Sequence, residues 1–404
     1  MTALIADNLT LVFTAGVSLR TWRDTGLLSR EWALYRELLP HYGSITLLTY
    51  GGADDPAILA GLLSPDEAAK VRVICNDQHL APGAYSRSIA SRVAASLKAS
   101  RSVVVKTNQM AGGDTAISIA NALREVNHTV GFIARGGYLW TRFVAYEHGP
   151  QSAEALSAAA KERFLCQAAD AVVGTTSDMV EDLAWRYGLD PQRCVVVPNY
   201  VLIDTPVRSP EEREPATLLY AGQLSNRKRV DILIRAAAAL RDEARVQARL
   251  EVIGDGPERA ALESLAAQLS APVTFRSRVA HEELLERMGR CTIYLQASEL
   301  EGHPKTVLEA MGSGATVLVA KSPGLGEVVT HGMNGLRVDT DPAAFSAAIN
   351  ELLPDPEWRA VLGHAAARTI RQQFGLPSVM DLELEVHRRA LAHGSRRGAL
   401  KASA

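Results

Sequence analysis

The residues best placed to do chemistry fall in one stretch, Ser298-Glu299-Leu300-Glu301-Gly302-His303-Pro304-Lys305-Thr306-Val307-Leu308-Glu309-Ala310-Met311, just after an apolar run at 292–295. Gly302 lets the backbone approach a ligand closely. Pro304 suits the first turn of a helix, where its missing N–H would have no partner anyway. The amides of His303, Pro304's neighbour Lys305, and Thr306 would then point at an anion, helped by the helix dipole and the Lys305 ammonium. Glu301 lies in the loop. Glu309 lies more than a turn into the helix, a lone carboxylate among Val307, Leu308, Ala310 and Met311. A carboxylate accepts two hydrogen bonds at once, which suits the vicinal hydroxyls of a ribose. The same spacing also fits a residue on the solvated face of the helix.

A second segment, Tyr220-Ala221-Gly222-Gln223-Leu224-Ser225-Asn226-Arg227-Lys228-Arg229-Val230-Asp231, places three consecutive cations behind a strand and a Gly-containing loop. Clustered Lys and Arg stabilise the charge that grows on a leaving diphosphate; a solvated basic turn has the same composition. A third, Glu251-Val252-Ile253-Gly254-Asp255-Gly256-Pro257-Glu258, begins like a dinucleotide-binding glycine loop, but Arg259 replaces the third glycine. It reads as a tight strand-to-helix turn with Pro257 opening the helix. Asp339-Thr340-Asp341 resembles a metal-binding acidic pair, yet Pro342 follows, so Asp341 reads as a helix cap.

These loops need strands before them and helices behind them. Short Val/Ile/Leu runs alternate with Ala-rich helical stretches along the chain, the pattern of parallel sheets covered by helices. Strands are expected at 9–14, 45–50, 71–75, 102–106, 129–134, 171–174 and 194–197, then at 217–220, 249–253, 273–275, 292–295, 316–319 and 336–338. Helices are expected at 30–39, 89–100, 116–125, 153–168 and 177–187, the last capped near Ser177, then at 229–244, 257–269, 282–289, 306–312 and 342–353. The segment 204–216, with three prolines and the run Glu211-Glu212-Arg213-Glu214, reads as an exposed linker. The expected architecture is α/β: two doubly wound parallel-sheet domains, 1–203 and 217–372, a crossover helix at 373–392 and a frayed tail at 393–404. Ligands bind such sheets beyond the carboxyl ends of the strands.

In this order and at these separations, the three segments resemble the C-terminal half of the family-4 retaining glycosyltransferases, also described as glycosyl transferases group 1. The similarity runs over about 218–338. It implies the GT-B fold, two Rossmann-like domains facing a central cleft, with the acceptor received on the first and the nucleotide-sugar donor on the second. Glu301 and Glu309 match the family's paired glutamates, which implies contact of Glu301 with the donor sugar and of Glu309 with the ribose. The resemblance further implies that the backbone of Gly302, His303, Pro304, Lys305 and Thr306 holds sugar and diphosphate, and that Lys228 binds the diphosphate. It gives the backbone at Val279, in Arg276-Ser277-Arg278-Val279, the reading of the base. Weaker similarity covers 169–177 and 197–201, which look like the segments closing the first domain.

Two positions depart from the family pattern. Gln223, after Gly222, stands where an arginine is usual; Arg227 is the nearest replacement. In Ile133-Ala134-Arg135-Gly136-Gly137-Tyr138, Arg135 takes the place of a histidine near the reacting sugar, and is either a support for the donor or a surface arginine. On the acceptor side, the loop from Thr14 holds Gly16, with Arg20 and Arg23 flanking Trp22. These are either a cationic and stacking surface for a sugar or phosphate, or a loop packed by a buried tryptophan. Arg87, Arg92, Lys98 and Arg101 in the 86–101 region either rest on an anionic membrane or mark a plain surface helix.

Composition narrows the rest. The 404 residues carry a formal net charge of -2, so no global field draws the chain onto nucleic acid. The four cysteines form no CxxC pair or zinc-like spacing and fit a reducing compartment. Residues 1–16 lack a basic leader and carry Asp7 before an apolar run, so a first strand is expected, and a cytoplasmic location with or without a peripheral contact at the inner membrane face. The expected partners are a nucleotide-sugar donor (UDP- or GDP-linked) and a glycan, lipid-linked or small-molecule acceptor, with no metal or other cofactor. The alternatives are a GT-B-fold epimerase or phosphorylase-like enzyme and a non-catalytic binding subunit.

Overall fold

The computed structural model describes residues 4–126, 129–202, 206–241 and 247–402. Two compact units are present, one formed by 1–198 with 380–404 and the other by 199–379.

The first unit is built on a seven-stranded sheet: β1 (Ala6–Val12), β2 (Tyr42–Leu48), β3 (Val71–Ile74), β4 (Ser102–Thr107), β5 (Thr129–Arg135), β6 (Ala171–Gly174) and β7 (Cys194–Val196). The order is β3-β2-β1-β4-β5-β6-β7, with every pair parallel. Val103, Val104 and Val105 of β4 are all fully buried, as expected of a strand covered on both faces. The helix Leu376–Ala402 docks here from residue 380 onward. Lys106 of β4 puts its Nζ 2.7 Å from both carboxylate oxygens of Glu383. His387, one turn on, has Nε2 3.2 Å from Glu383 and Nδ1 2.7 Å from the Tyr42 hydroxyl. Two glycines bring helix and strand backbones together: a Cβ on Gly394 would stand 1.8 Å from the Val130 carbonyl oxygen, and one on Gly131 2.6 Å from the Leu391 nitrogen.

The second unit has a six-stranded sheet: β8 (Thr217–Ala221), β9 (Arg249–Ile253), β10 (Val273–Arg276), β11 (Ile293–Gln296), β12 (Thr316–Ala320) and β13 (Leu336–Val338). The order is β10-β9-β8-β11-β12-β13, again parallel throughout. Strand order reverses between β8 and β11, so a crevice opens beyond their carboxyl ends. The loops bearing Lys228 and Glu301 follow those two strands.

Both sheets have the expected doubly wound parallel form, and all thirteen expected strands are present within a few residues. Several details differ. Short helices at Leu19–Asp24, Asp55–Ala60, Pro65–Lys70 and Trp140–His148 escape the periodicity because they are a few turns at most; Ser18 and Ser64 nonetheless make full capping boxes. The longer helix Pro356–Gln373 also goes unread. The helix at 177 is capped by Thr176, whose hydroxyl accepts from the Met179 amide. Pro257 sits in the turn, and its helix is Arg259–Gln268. The helix opened by the three cations is Val230–Ala238; residues 242–244 of the expected span lie outside the described residues.

The described part of the expected linker, residues 206–216, is exposed or half-buried and is anchored through Arg213. Arg213 donates to the carbonyls of Gly289, Cys291 and Gly314 at 3.1, 3.2 and 2.7 Å, all within the second unit. Residues 203–205 lie outside the described residues. The expected frayed tail is helical backbone as far as Ala402; residues 1–3 and 403–404 also lie outside the described set. Asp341 caps the helix Pro342–Leu352, accepting from the Ala343 and Ala344 amides at 2.9 and 3.0 Å. The four thiols are free, and burial raises the pKa of each, that of Cys291 to about 12.

Candidate active site

In the second unit, the loop after β8 and the loop after β11 close on each other through charge. Lys228 Nζ lies 2.5 Å from Glu301 Oε1, and Arg227 Nη1 lies 3.3 Å from Glu301 Oε2 while also donating to the Leu300 carbonyl. Gln296, the last residue of β11, adds a hydrogen bond to Oε1 at 3.1 Å and another to the Ser298 hydroxyl at 2.6 Å. Burial works against ionisation of Glu301, but Lys228 and Arg227 outweigh it and hold the carboxyl below the usual carboxylate range.

The three cations therefore do not form a solvated run. Arg229 is turned from the other two: it pairs with Asp231 at 3.0 Å and also with Glu299. Its φ of 48° is left-handed, which is uncommon for a side chain of this size. That kink ends the turn Asn226–Lys228 and starts the helix behind it, which sets where Lys228 emerges.

The loop bearing Glu301 is buttressed by the loop that follows β12. Glu301 N–H donates to the Pro323 carbonyl at 3.2 Å, and Ser322 Oγ donates to the Ser298 carbonyl at 2.6 Å. Gly324 has φ 81°, and a Cβ there would sit 2.4 Å from the Gly302 oxygen and 2.5 Å from the Glu301 oxygen. The helix Lys305–Gly312 then begins with Pro304 at its cap position, without a side-chain cap. The His303 ring is packed inward: Nδ1 accepts from the Asn199 amide at 3.1 Å, and Asn199 Nδ2 donates to the His303 carbonyl at 2.8 Å. Lys305 Nζ lies 5.8 Å from the centre of the Tyr200 ring.

Glu309 is 1% exposed, so it does not lie on a solvated face. Its Oε1 is 3.0 Å from His281 Nε2. Tyr294 lies between the two glutamates electrostatically. Burial pushes its phenol pKa up, and the nearby charges of Glu309 and Glu301 add to the shift. Lys228, Glu301 and Glu309 are thus brought to one end of one sheet.

The glycines at 222, 254 and 256 serve backbone packing. A Cβ on Gly254 would meet the Gly222 oxygen at 1.9 Å, and one on Gly256 the Leu224 oxygen at 2.2 Å. The turn after β9 thereby supports the Gly222–Gln223 loop, where Leu224 N–H donates to the Asp255 carbonyl at 3.0 Å and Gln223 is exposed. Asp255 Oδ2 accepts from the Arg278 amide at 3.1 Å, holding the segment that contains Val279. Gln296, His281 and Gly324 lie outside the motifs visible in the sequence. His281 opens a helix two residues after Val279, so a polar ring next to the segment expected to read the base was the available signal.

The remaining candidates lie in the first unit. Trp22 is 3% exposed and stacks on Phe13 at 4.2 Å, so it belongs to the core and offers no stacking surface for a sugar. Arg20 pairs with Asp54 at 2.5 Å and Arg23 with Asp24 at 2.8 Å, both at the surface, and Gly16 takes a turn with φ 78°. Arg135, at the end of β5, is partly buried; its amide donates to the Thr107 hydroxyl at 2.8 Å, and its charge bears on the buried Lys106 and Glu383. It is therefore not a plain surface arginine.

Residues 204–369 match the family model described as Glycosyl transferases group 1, and residues 32–200 match that of the Glycosyl transferase 4-like domain. The D-inositol 3-phosphate glycosyltransferase of Streptomyces scabiei is 29% identical over 259 residues, 58% of this chain and 57% of that protein. The chain thus spans little more than half the length of this relative. The crystal structure of Anabaena Alr3699/HepE in complex with UDP and glucose superimposes with a TM-score of 0.71 at 16% identity, covering 94% of this chain and 98% of that one. Sucrose-phosphate synthase (tll1590) from Thermosynechococcus elongatus gives 0.66 at 17% identity, covering 98% and 100%. These structures share the two-sheet fold. Among the described residues, no helix is long and apolar enough to cross a membrane.

Proposed function

From the two family-model matches, over 32–200 and 204–369, we propose that the chain is a glycosyltransferase that moves a glycosyl residue from a nucleoside-diphosphate sugar to an acceptor hydroxyl with retention at the anomeric carbon. The observation that carries this reading is the Lys228–Glu301–Arg227 cluster beside the helix bearing Glu309, at the strand-order reversal of the second sheet. Lys228 and Arg227 would stabilise the diphosphate as its bond to the anomeric carbon breaks, the step at which charge grows. The uncapped start of the helix Lys305–Gly312 supplies amides for the same anion. Glu301 would take up sugar hydroxyls and Glu309 the ribose pair. In front-face attack, the acceptor oxygen bonds to the anomeric carbon on the side the phosphate leaves. The acceptor proton passes to the departing phosphate oxygen, so no enzyme nucleophile is required.

UDP is the first donor nucleotide to test, because the Alr3699/HepE structure contains it; GDP is the second. The acceptor is proposed to be a glycan, a lipid-linked or a small polyhydroxylated molecule of surface polysaccharide or glycoconjugate assembly. The experiment is nucleotide release from a panel of UDP- and GDP-sugars, with wild type and Lys228→Ala. Release by wild type from one donor, lowered about 100-fold or more in the variant, is the expected outcome. Equal release by both proteins, or none from any donor, would sink the proposal.

A further inference from the structure

We infer that His281 is a positioning residue for the donor ribose, acting through Glu309; the inference rests on the nucleotide-sugar reading above. Glu309 is set among Val307, Leu308, Ala310 and Met311, none of which is exposed. A carboxylate this deeply buried needs a specific hydrogen-bonding partner. His281 Nε2, 3.0 Å from Oε1, is a partner placed to do so, and its own side chain is 11% exposed.

The connection has a second end. His281 is the first residue of the helix His281–Arg290, and the segment leading into it carries Arg278 and Val279. Asp255 fixes the Arg278 amide at 3.1 Å. The stretch from 278 to 281 is therefore pinned at both ends, to the turn after β9 at one and to Glu309 at the other. A carboxylate with one oxygen held cannot spin about its terminal torsion. Recognition of two adjacent hydroxyls by one carboxylate depends on that angle, so the ring prepares Glu309 for a vicinal diol before the nucleotide arrives. Holding the acceptor in its bound orientation beforehand reduces what binding must order. His281 thus favours nucleotides that carry both ribose hydroxyls over those that lack them.

The test is calorimetric titration of the full-length protein with UDP and with 2′,3′-dideoxy-UDP, or with the GDP pair where UDP does not bind. Wild type, His281→Ala and His281→Gln are compared. Loss of the ring should weaken the ribonucleotide about tenfold, leave the dideoxynucleotide within about twofold, and be largely rescued by glutamine, whose amide can also donate to Glu309. The ratio of the two affinities does not depend on the fraction folded, so partial misfolding of a variant does not blur the result. Equal weakening of both nucleotides, or undiminished ribonucleotide binding by His281→Ala, would overturn this inference alone. Failure of wild type to bind either UDP or GDP would overturn the nucleotide-sugar reading and this inference with it.

Discussion

Replacing Lys106 by methionine tests how the C-terminal helix is held to the first sheet. The Lys106 side chain is fully buried and that of Glu383 nearly so, with Nζ 2.7 Å from both oxygens. At that distance and an effective dielectric of about 20, the attraction is about 6 kcal/mol. Desolvating two ions costs several kcal/mol each, so the intact pair contributes little net stability. Removing one partner is different, because Glu383 then keeps its burial without its main counter-charge. Lys106→Met should therefore destabilise the first unit by about 3–5 kcal/mol, and Glu383→Leu by a similar amount. The double variant should lose much less than the sum, giving a coupling of roughly 3 kcal/mol or more. Urea unfolding followed by tryptophan fluorescence reads this out: Trp22 and Trp32 are buried in the first unit. A shift below about 1 kcal/mol for Lys106→Met, or additive single effects, would refute the reasoning.

Four further outcomes follow from the geometry. Glu383 is buried, but Lys106 and His387 hold its pKa well below the usual 4.5, and burial holds that of His387 below 6.5. The unfolded chain takes up protons that the folded one refuses, so stability should fall as pH drops below 6.5 and again below 4.5. Melting temperature against pH should show both limbs, the upper one absent in His387→Asn. Gly324→Ala forces a Cβ onto the Glu301 carbonyl and should reduce donor turnover about tenfold or more while melting within a few degrees of wild type; unchanged turnover would contradict the buttress. Trp22→Ala should lower unfolding free energy by about 3–5 kcal/mol and leave UDP affinity of the folded fraction unchanged, as titration calorimetry can show. Turnover in excess EDTA should equal that in magnesium, since protein cations rather than a metal are proposed to hold the diphosphate; a large loss would argue against those roles.

Much of the sheet architecture was legible because parallel strands are short apolar runs with helices between them. The short helices were not, since the six residues of Leu19–Asp24 are too few to show a period. Glu309 was ambiguous for a physical reason. Its helix is buried at Val307, Leu308, Ala310 and Met311 alike, so no polar face exists for a periodicity to reveal. The cation run was visible as composition, but its partners Glu299 and Glu301 lie about seventy residues on, and only the folded chain shows that Arg229 is committed elsewhere. Lys106 read as part of a strand; nothing near it in sequence announces Glu383.

The pairing of residue 106 with residue 383 also sets an order of events during synthesis. The second unit is one continuous stretch and can close as soon as it leaves the ribosome, whereas the first unit must wait for the last helix to be translated. Until then the β4 ammonium lacks its Glu383 partner, and the seat between Gly131 and Gly394 stands open. Contacts this distant in sequence form slowly, and domains generally complete as units during elongation. For this chain the part made first should be the part finished last, and a released chain truncated before residue 383 should hold a protease-resistant second unit and an unfinished first one.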